Sequence, residues 1–261
     1  MTASRLQEVL ADLAAEGDQL DALVAPLAAD GWRTPTPAPG WDVAHQVAHL
    51  AWTDEGSVAA ATDKAAWDSI VLAALADPDG FVDRAAAAGA AVPPAELLAR
   101  WRSSRARLAE VLAGLPEGTR IPWYGPPMSA TSMATARFME TWAHGRDVAD
   151  ALGVELPRDD RVRHVVHLGV RTRDFSFRSR GLEPPAEPFR VELVLPSGAL
   201  VTYGDGAEQS VTGSAHDFAL LVTQRVHRED TDLVAVGEDA HAWLAVAQAF
   251  AGPSGDGRPP R

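Results

Sequence analysis

The chain of 261 residues carries a formal net charge of −13, contains no cysteine and is 46% hydrophobic, which is typical of a globular protein. The acidic charge, without any basic block, argues against a surface for nucleic acid or anionic membranes. The lack of cysteine excludes disulfides, thiolate metal ligands and a cysteine nucleophile, so any thiol that takes part in its chemistry must arrive on a small molecule.

The first two thirds of the chain has the pattern of a helical domain. Leucines and valines recur at three- and four-residue spacing from Ser4 to about Pro26, which predicts an amphipathic helix. The proline-rich stretch 34–40 cannot be helical, and Asp42 is then the expected N-cap of a second helix that ends near Ala61. Further helices are predicted over residues 64–75, 94–114, 129–152 and 159–179.

The pattern changes after a proline-rich segment at residues 183–188. Alternating apolar residues predict strands, and apolar runs predict two helices between and after them. The strands are expected at 189–195, 200–203, 210–213 and 233–236, and the helices at 215–225 and 240–250. We therefore predict an α+β fold, with a helical domain at 1–182, a small α+β domain at 183–252 and a disordered tail at 253–261.

Two predicted helices carry side chains that can bind a metal. Glu140 and His144 are four residues apart and so lie on one face of their helix, and His45 and His49 have the same spacing on the second helix. Three such ligands leave coordination positions open, which is typical of a catalytic metal site. We favour His49 as the ligand and place His45 in the cavity wall, although His45 can also be a ligand or a base. Asp147 is a candidate hydrogen-bond acceptor for an imidazole.

Simpler explanations stay open for each of these residues. A single histidine in an apolar helix is more often a hydrogen-bonded core residue, and Glu–His pairs at this spacing also occur on solvated helix faces. A mixed nitrogen and oxygen donor set suits zinc, and also nickel, manganese or iron(II).

Two separate segments resemble the mycothiol-dependent maleylpyruvate isomerase family, whose N-terminal half belongs to the DinB-like superfamily. The shared pattern is Trp41…His49-Leu50, followed about ninety residues later by Met139-Glu140-x-Trp142-x-His144-Gly145-x-Asp147-Val148-x-Asp150. The resemblance implies an N-terminal four-helix bundle that binds a divalent metal, typically zinc. It also implies that the ligands are His49, Glu140 and His144.

The resemblance extends to the second half of the chain. Residues 211–225 and 237–244 are similar to the family's C-terminal domain, which has a sterol-carrier-like α/β fold. An arginine at the position of Arg225 is implicated in the family's activity. Residues 223–233 and 248–255 resemble an uncharacterised actinobacterial metal-binding subfamily more than the isomerase itself.

Further residues are candidates for cofactor or substrate binding. Trp52, Trp123, Tyr124 and Trp142 are expected to line the cavity, with ordinary core packing as the simpler account for each. Arg225 is expected to bind a carboxylate of the thiol or substrate, unless it forms a surface ion pair.

The sequence therefore predicts a divalent-metal enzyme that activates mycothiol or a similar thiol for transfer to a small electrophile, a thiol S-transferase. The alternatives are a maleylpyruvate-type cis–trans isomerase that uses the thiol as a cofactor, a non-catalytic small-molecule carrier or sensor, and a hydrolase with metal-bound water. We expect a cytoplasmic location, because the chain shows neither a signal peptide nor an apolar run of about 18 residues. A monomer or a homodimer is expected.

Overall fold

The computed structural model describes residues 4–204, 206–252, 255 and 257–260. The chain folds as two compact units, Met1–Leu156 and Pro157–Arg261. No helix among the described residues is long and apolar enough to cross a membrane.

The described part of the first unit contains six α-helices. They are α1 (Arg5–Val24), α2 (Val43–Thr62), α3 (Lys64–Ala76), α4 (Phe81–Ala90), α5 (Pro94–Gly114) and α6 (Ala130–Leu152). The long helices form a four-helix bundle, in which α6 packs against α1 and α2, and α5 packs against α2 and α1. The short helices α3 and α4 pack against α2. The predicted bundle is confirmed, whereas α4 was not expected, because it is short and its N-cap residue, Gly80, offers no side-chain cap that would mark a helix start after the turn-forming residues 77–80.

Local capping explains where the bundle helices begin and end. The side chain of Ser4 accepts a hydrogen bond from the backbone N–H of Gln7, and the side chain of Gln7 accepts one from the backbone N–H of Ser4, which forms a capping box at the start of α1. Asp42 caps α2, as predicted, and Ser129 caps α6. At the other end of α6, Gly153 has a φ of 65°, a left-handed conformation that glycine adopts without steric cost. These caps fix the frame in which the candidate ligands of α2 and α6 are presented.

The interior of the bundle contains two apolar clusters. The first includes Val47, Trp101 and Val148, and the second includes Trp67 and Met133. Along α6, the candidate ligands therefore lie between one apolar layer near residue 133 and another near residue 148. Burial of such side chains contributes about 1.5–3 kcal/mol each, so the polar residues between them lie in a well-supported frame.

The second unit combines four strands with four α-helices among its described residues. These are α7 (Arg163–Arg171), α8 (Arg173–Arg178), β1 (Arg190–Val194), β2 (Leu200–Tyr203), β3 (Ser210–Ser214), α9 (Ala215–Val222), β4 (Val234–Val236) and α10 (Glu238–Val246). The strand order is β2-β1-β3-β4. The strand β1 pairs antiparallel with β2, with Val191 opposite Tyr203, and parallel with β3, with Val191 opposite Val211. The predicted α+β class is confirmed.

The two units divide earlier in the chain than the predicted boundary near residue 183. The proline-rich segment 183–188 lies inside the second unit, because α7 packs against α9 and α8 packs against α10. The prolines correctly predicted a loop here, but the helices that precede it pack within the unit that contains the sheet. In the tail, residues 253, 254, 256 and 261 lie outside the described residues, and its disorder stays a prediction.

Candidate metal centre

Three side chains from two helices of the bundle converge on one point. His49 comes from α2, and Glu140 and His144 come from α6; one ligand atom of each lies within 4.8 Å of the others. The Oε2 atom of Glu140 is 3.3 Å from Nε2 of His49 and 3.3 Å from Nε2 of His144. Metal–ligand bonds of about 2.0–2.1 Å at tetrahedral angles place neighbouring ligand atoms about 3.3 Å apart, so this spacing fits a small divalent ion.

The three side chains are recessed but still reached by solvent. The exposed fractions are 10% for His49, 22% for Glu140 and 12% for His144. Burial by itself raises the pKa of the Glu140 carboxyl, but hydrogen bonds from His144 and His49 outweigh it and hold this pKa well below its usual range. Glu140 is therefore a carboxylate, as a metal ligand must be, and its remaining exposure leaves a side from which a small molecule can approach.

The hydrogen bonds around His144 also fit a cation. Its Nδ1 atom contacts Oε1 of Gln46, and Nε2 of Gln46 donates to the hydroxyl of Thr36 at 2.8 Å. The Gln46 oxygen accepts, so Nδ1 of His144 carries the proton. His144 can donate to Gln46 through Nδ1 and to Glu140 through Nε2 at the same time only as a cationic imidazolium. When the ring is neutral, its Nε2 lone pair is on the side of the carboxylate, where a metal ion would be bound.

His45 lies outside this group of three and is held by the N-cap of its own helix. Its Nδ1 atom is 2.6 Å from Oδ1 of Asp42 and 3.4 Å from the backbone nitrogen of Asp42. In the capping box the Asp42 N–H points at Nδ1 as an acceptor, but a 2.6 Å contact with a carboxylate oxygen requires a hydrogen between the two atoms. We therefore assign the proton to Nδ1, which leaves Nε2 as the basic nitrogen. Burial raises the pKa of Asp42, but the hydrogen bonds from His45 outweigh it, and this pKa lies below its usual value. The role of His45 as a base stays a prediction.

Two tryptophans lie beside the candidate ligands. The ring of Trp41 stacks on His144, with centroids 5.9 Å apart and planes at 16°, and it is 5.3 Å from the ring of His49. The indole N–H of Trp41 donates to Asp83 on α4 at 2.9 Å. Trp52, a predicted cavity residue, is 6.0 Å from His49. Trp41 was predicted only as part of the family motif, although its place directly before the α2 N-cap puts it at the same end of α2 as His45.

The structure does not bring Trp123 and Tyr124 to the candidate ligands. Both rings lie 5.2 Å from Trp67, and Trp123 packs on the apolar cluster that includes Met133. Met133 is two turns before Glu140 on α6, about 10 Å along the helix axis. Burial raises the pKa of Tyr124 to about 12, so its hydroxyl stays protonated at neutral pH. Packing around Trp67 accounts for both residues.

Trp142 and Asp147 are interior residues of α6. Trp142 is 2% exposed, and the guanidinium of Arg146 lies 4.9 Å from its ring. This burial favours the core-packing account of Trp142. Asp147 is fully buried, and its role as a partner of an imidazole stays a prediction.

A buried ion pair, which the sequence analysis did not identify, joins the two ligand-bearing helices. The Nε atom of Arg137 on α6 donates to Oδ1 of Asp54 on α2 at 2.9 Å, and both side chains are at most 5% exposed. Burial raises the pKa of Asp54 even though Arg137 lowers it. Arg137 precedes Glu140 by one turn, so this pair fixes the distance between the helices next to the ligands.

Arg225 belongs to the second unit. Its guanidinium donates to the backbone carbonyl of Thr223, and its backbone N–H donates to the carbonyl of Leu220 at 2.8 Å. The preceding residue, Gln224, has a φ of 59°, which turns the chain out of α9. Its role in binding a carboxylate stays a prediction.

The segment of the chain that contains the candidate ligands matches a known protein family. The family described as the mycothiol maleylpyruvate isomerase N-terminal domain matches residues 13–149, a segment that includes all three ligands and more than half of the chain. The chain belongs to this family. The resemblance inferred from the two sequence segments is thereby confirmed.

The chain is also similar to two uncharacterised proteins in sequence and to two solved structures in fold. Two uncharacterised proteins of Mycobacterium tuberculosis, MT0041 of strain CDC 1551 / Oshkosh and Rv0036c of strain ATCC 25618 / H37Rv, are each 60% identical over 250 residues. The match covers 95% of this chain and 97% of each relative. Crystal structures of the mycothiol-dependent maleylpyruvate isomerase and of a histidine-to-alanine mutant of it have TM-scores of 0.59 and 0.60 at 17% identity. They cover 88% of this chain and 92% of theirs, and show that the fold is shared.

Proposed function

We propose that this protein is a divalent-metal enzyme that uses a low-molecular-weight thiol of the mycothiol type to react with a small electrophilic substrate. The observation that carries the proposal is the convergence of His49, Glu140 and His144 at metal-ligand spacing. These residues lie in the segment that matches a family named for a mycothiol maleylpyruvate isomerase. Two imidazoles and one carboxylate favour zinc, and they also suit nickel, manganese or iron(II).

The chemistry requires a sulfur nucleophile that the chain does not contain. There is no cysteine in the sequence, so the thiol must be a separate small molecule. When bound by three protein ligands, a divalent ion keeps a position for that thiol and lowers the thiol's pKa toward neutrality. The carboxylate of Glu140 is already deprotonated, because His144 and His49 hold its pKa low.

The surrounding residues can move a proton and exclude water. His45 is oriented by Asp42 so that its Nε2 atom is available to accept the proton of an incoming thiol. The rings of Trp41 and Trp52 lie beside the candidate ligands and would offer an apolar surface to a substrate. Arg225 is proposed to bind a carboxylate of the thiol or substrate through two parallel hydrogen bonds.

The family name supports an isomerase as the reaction type. Addition of the thiolate sulfur to a carbon–carbon double bond that is conjugated with a carbonyl forms a C–S bond, moves the π electron pair onto the carbonyl oxygen as an enolate, and leaves a single bond that rotates. Loss of the same sulfur then restores the double bond in the other configuration, and the thiol is returned. Thiol transfer is the second candidate. The observation that favours it is the low sequence identity to the solved isomerase, 17%, compared with 60% to the uncharacterised relatives, which leaves room for a different reaction.

The test combines metal content with the fate of the thiol. Elemental analysis of the purified protein is expected to give about one divalent ion per chain, and His49→Ala and Glu140→Ala are expected to lose it. His241→Ala, an exposed histidine on α10, is the matched control. With an electrophilic double-bond substrate, an isomerase leaves the free thiol constant, whereas a transferase depletes it stoichiometrically. A folded protein that binds no metal would contradict the proposal, and metal binding without any turnover would favour the carrier or sensor.

A further inference from the structure

Gln46 is a buried amide between a loop and one of the candidate ligands. It lies in the first turns of α2 and is fully buried. Its Nε2 atom donates to the hydroxyl of Thr36 at 2.8 Å, and its Oε1 atom contacts Nδ1 of His144. Buried amides need partners for both ends, since an unpaired polar group in the interior is destabilising. Both ends of Gln46 are satisfied here.

The direction of these hydrogen bonds is fixed by Thr36. A hydroxyl has one hydrogen, and that of Thr36 is donated to the backbone carbonyl of Trp41 at 2.9 Å. The Thr36 oxygen therefore accepts from the amide NH₂ of Gln46, which turns the amide oxygen toward His144. Nδ1 of His144 must then donate, and its Nε2 atom is left with the lone pair on the side of Glu140.

The same loop restrains the face of the imidazole. The backbone N–H of Thr36 donates to the carbonyl of Trp41 at 2.8 Å, which closes the loop before α2. The ring of Trp41 stacks on the ring of His144. His144 is thus held at its Nδ1 atom by Gln46 and at its face by Trp41.

We propose that Gln46, held by Thr36, is a positioning residue that selects the metal-binding tautomer of His144. This inference rests on the proposed metal centre. A histidine that donates its second ring N–H to a fixed acceptor keeps one orientation and one tautomer, and loss of such an acceptor typically costs about 10–100-fold in metal affinity. Because Gln46 is neutral, two imidazoles and the Glu140 carboxylate leave a divalent ion with a net positive charge, which favours an anionic thiolate.

Three variants test the two hydrogen bonds that link Thr36, Gln46 and His144 one at a time. Gln46→Leu removes the acceptor, Gln46→Glu keeps an acceptor at the same place, and Thr36→Val removes the group that orients Gln46. Gln19→Leu on α1 is the matched control, since Gln19 contacts Glu16 outside the loop. Thermal unfolding of each variant identifies any that fails to fold. If a Gln46 variant does not fold, Thr36→Val still tests the hydrogen bonds to His144 without a change at Gln46.

The first readout needs neither metal nor activity. Long-range ¹H–¹⁵N NMR of the metal-free protein, at a pH high enough for neutral imidazoles, reports the tautomer of His144; its signals are assigned by their loss in His144→Ala. We expect the Nδ1–H tautomer in the wild type, in Gln46→Glu and in the control. We expect a mixture or the Nε2–H tautomer in Gln46→Leu, and a partial change in Thr36→Val.

The second readout is metal affinity, measured for zinc by competition with a chelator. We expect Gln46→Leu to bind about 10–100-fold more weakly, and Gln46→Glu to bind no more weakly than the wild type. An Nε2–H tautomer in the wild type, or an unchanged tautomer and affinity in Gln46→Leu, would overturn the proposal. A wild-type protein with the expected tautomer that binds no divalent metal supports the orientation of His144 by Gln46 and contradicts the proposed function alone.

Discussion

The imidazole of His49 on α2 and the carboxylate of Glu140 on α6 lie 3.3 Å apart inside the bundle, although 91 positions separate the two residues in the chain. Burial of the Glu140 carboxylate would be unfavourable on its own, since a buried carboxylate needs a cation or strong donors. His144, one turn after Glu140, completes the group. Predictions about the protein follow from what holds these helices together and from what surrounds the three side chains.

Removal of one partner of the buried pair of Asp54 and Arg137 should strongly destabilise the first unit. Arg137→Met leaves an uncompensated buried carboxylate, and we expect it to lower the free energy of unfolding by about 3–5 kcal/mol. The double variant Asp54→Leu with Arg137→Met should be less destabilised than the sum of the single variants. Urea unfolding measures all three.

The half-exposed pair of Glu55 and Arg100 is the control for this prediction. Solvent screens this pair, so Arg100→Met should cost no more than about 1 kcal/mol. Equal losses for Arg100→Met and Arg137→Met would show that burial does not distinguish the two pairs.

The pKa of Asp42 predicts a pH dependence of stability. It is lowered in the folded protein, so the unfolded chain takes up this proton first as the pH falls. The stabilisation by the ionised group is therefore complete above the ordinary aspartate pKa of about 3.9 and is lost below it. Asp42→Asn keeps an N-cap but removes the charge, so its stability deficit should be present at neutral pH and should shrink in acid.

Urea unfolding of the wild type and Asp42→Asn at several pH values measures this deficit. Asp68→Asn, which removes an exposed aspartate of α3, is the control, and its deficit should be small throughout. A deficit for Asp42→Asn that is undiminished below a pH of about 3.9 would contradict the lowered pKa of Asp42 and its hydrogen bond with His45.

The two groups of aromatic residues should respond differently to substitution. Trp41 stacks on His144, so Trp41→Ala should raise the KM for the thiol while the protein stays folded. Trp123 packs on Trp67, so Trp123→Ala should lower the free energy of unfolding and leave the KM unchanged. Because Trp123 is partly exposed, the loss should not exceed the value of about 3–5 kcal/mol that is typical of a buried tryptophan. Steady-state kinetics and thermal unfolding of both variants separate these outcomes, and the reverse pattern would place the cavity beside Trp123.

Arg225 should act on binding and not on metal content. If it holds a carboxylate through charged hydrogen bonds, Arg225→Ala should weaken binding of the thiol or substrate by about 10–150-fold, which corresponds to about 1.5–3 kcal/mol. Arg225→Lys should restore little of this, because a lysine cannot form two parallel hydrogen bonds. Arg180→Ala is the control in the same unit. Binding equal to that of the wild type in Arg225→Ala would remove Arg225 from the site.

Much of the fold could be predicted because its signals are local. The N-caps at Ser4, Asp42 and Ser129 and the apolar periodicity between them fixed the helix starts within a residue or two. The candidate ligands were found in the same way, since Glu140 and His144 are one turn apart and a family motif adds His49. The helix α4 was missed because it has no side-chain N-cap and directly follows turn-forming residues.

The parts that were missed depend on contacts between distant segments. Arg137 and Asp54 are 83 residues apart, and neither neighbourhood indicates that they pair. Gln46 was not singled out, because its proposed role follows from how the loop containing Thr36 folds onto α2. The parallel pairing of β1 with β3 and the early division at Leu156 likewise arise from packing and not from local composition.

The central claim is that one divalent ion binds between His49, Glu140 and His144. The most direct test is anomalous X-ray diffraction from crystals of the purified protein, with data on both sides of the metal absorption edge. The account predicts one strong peak about 2.0–2.2 Å from Nε2 of both histidines and from a carboxylate oxygen of Glu140. Crystals of metal-supplemented protein in which no peak appears there, and in which the histidines donate directly to Glu140, would contradict it.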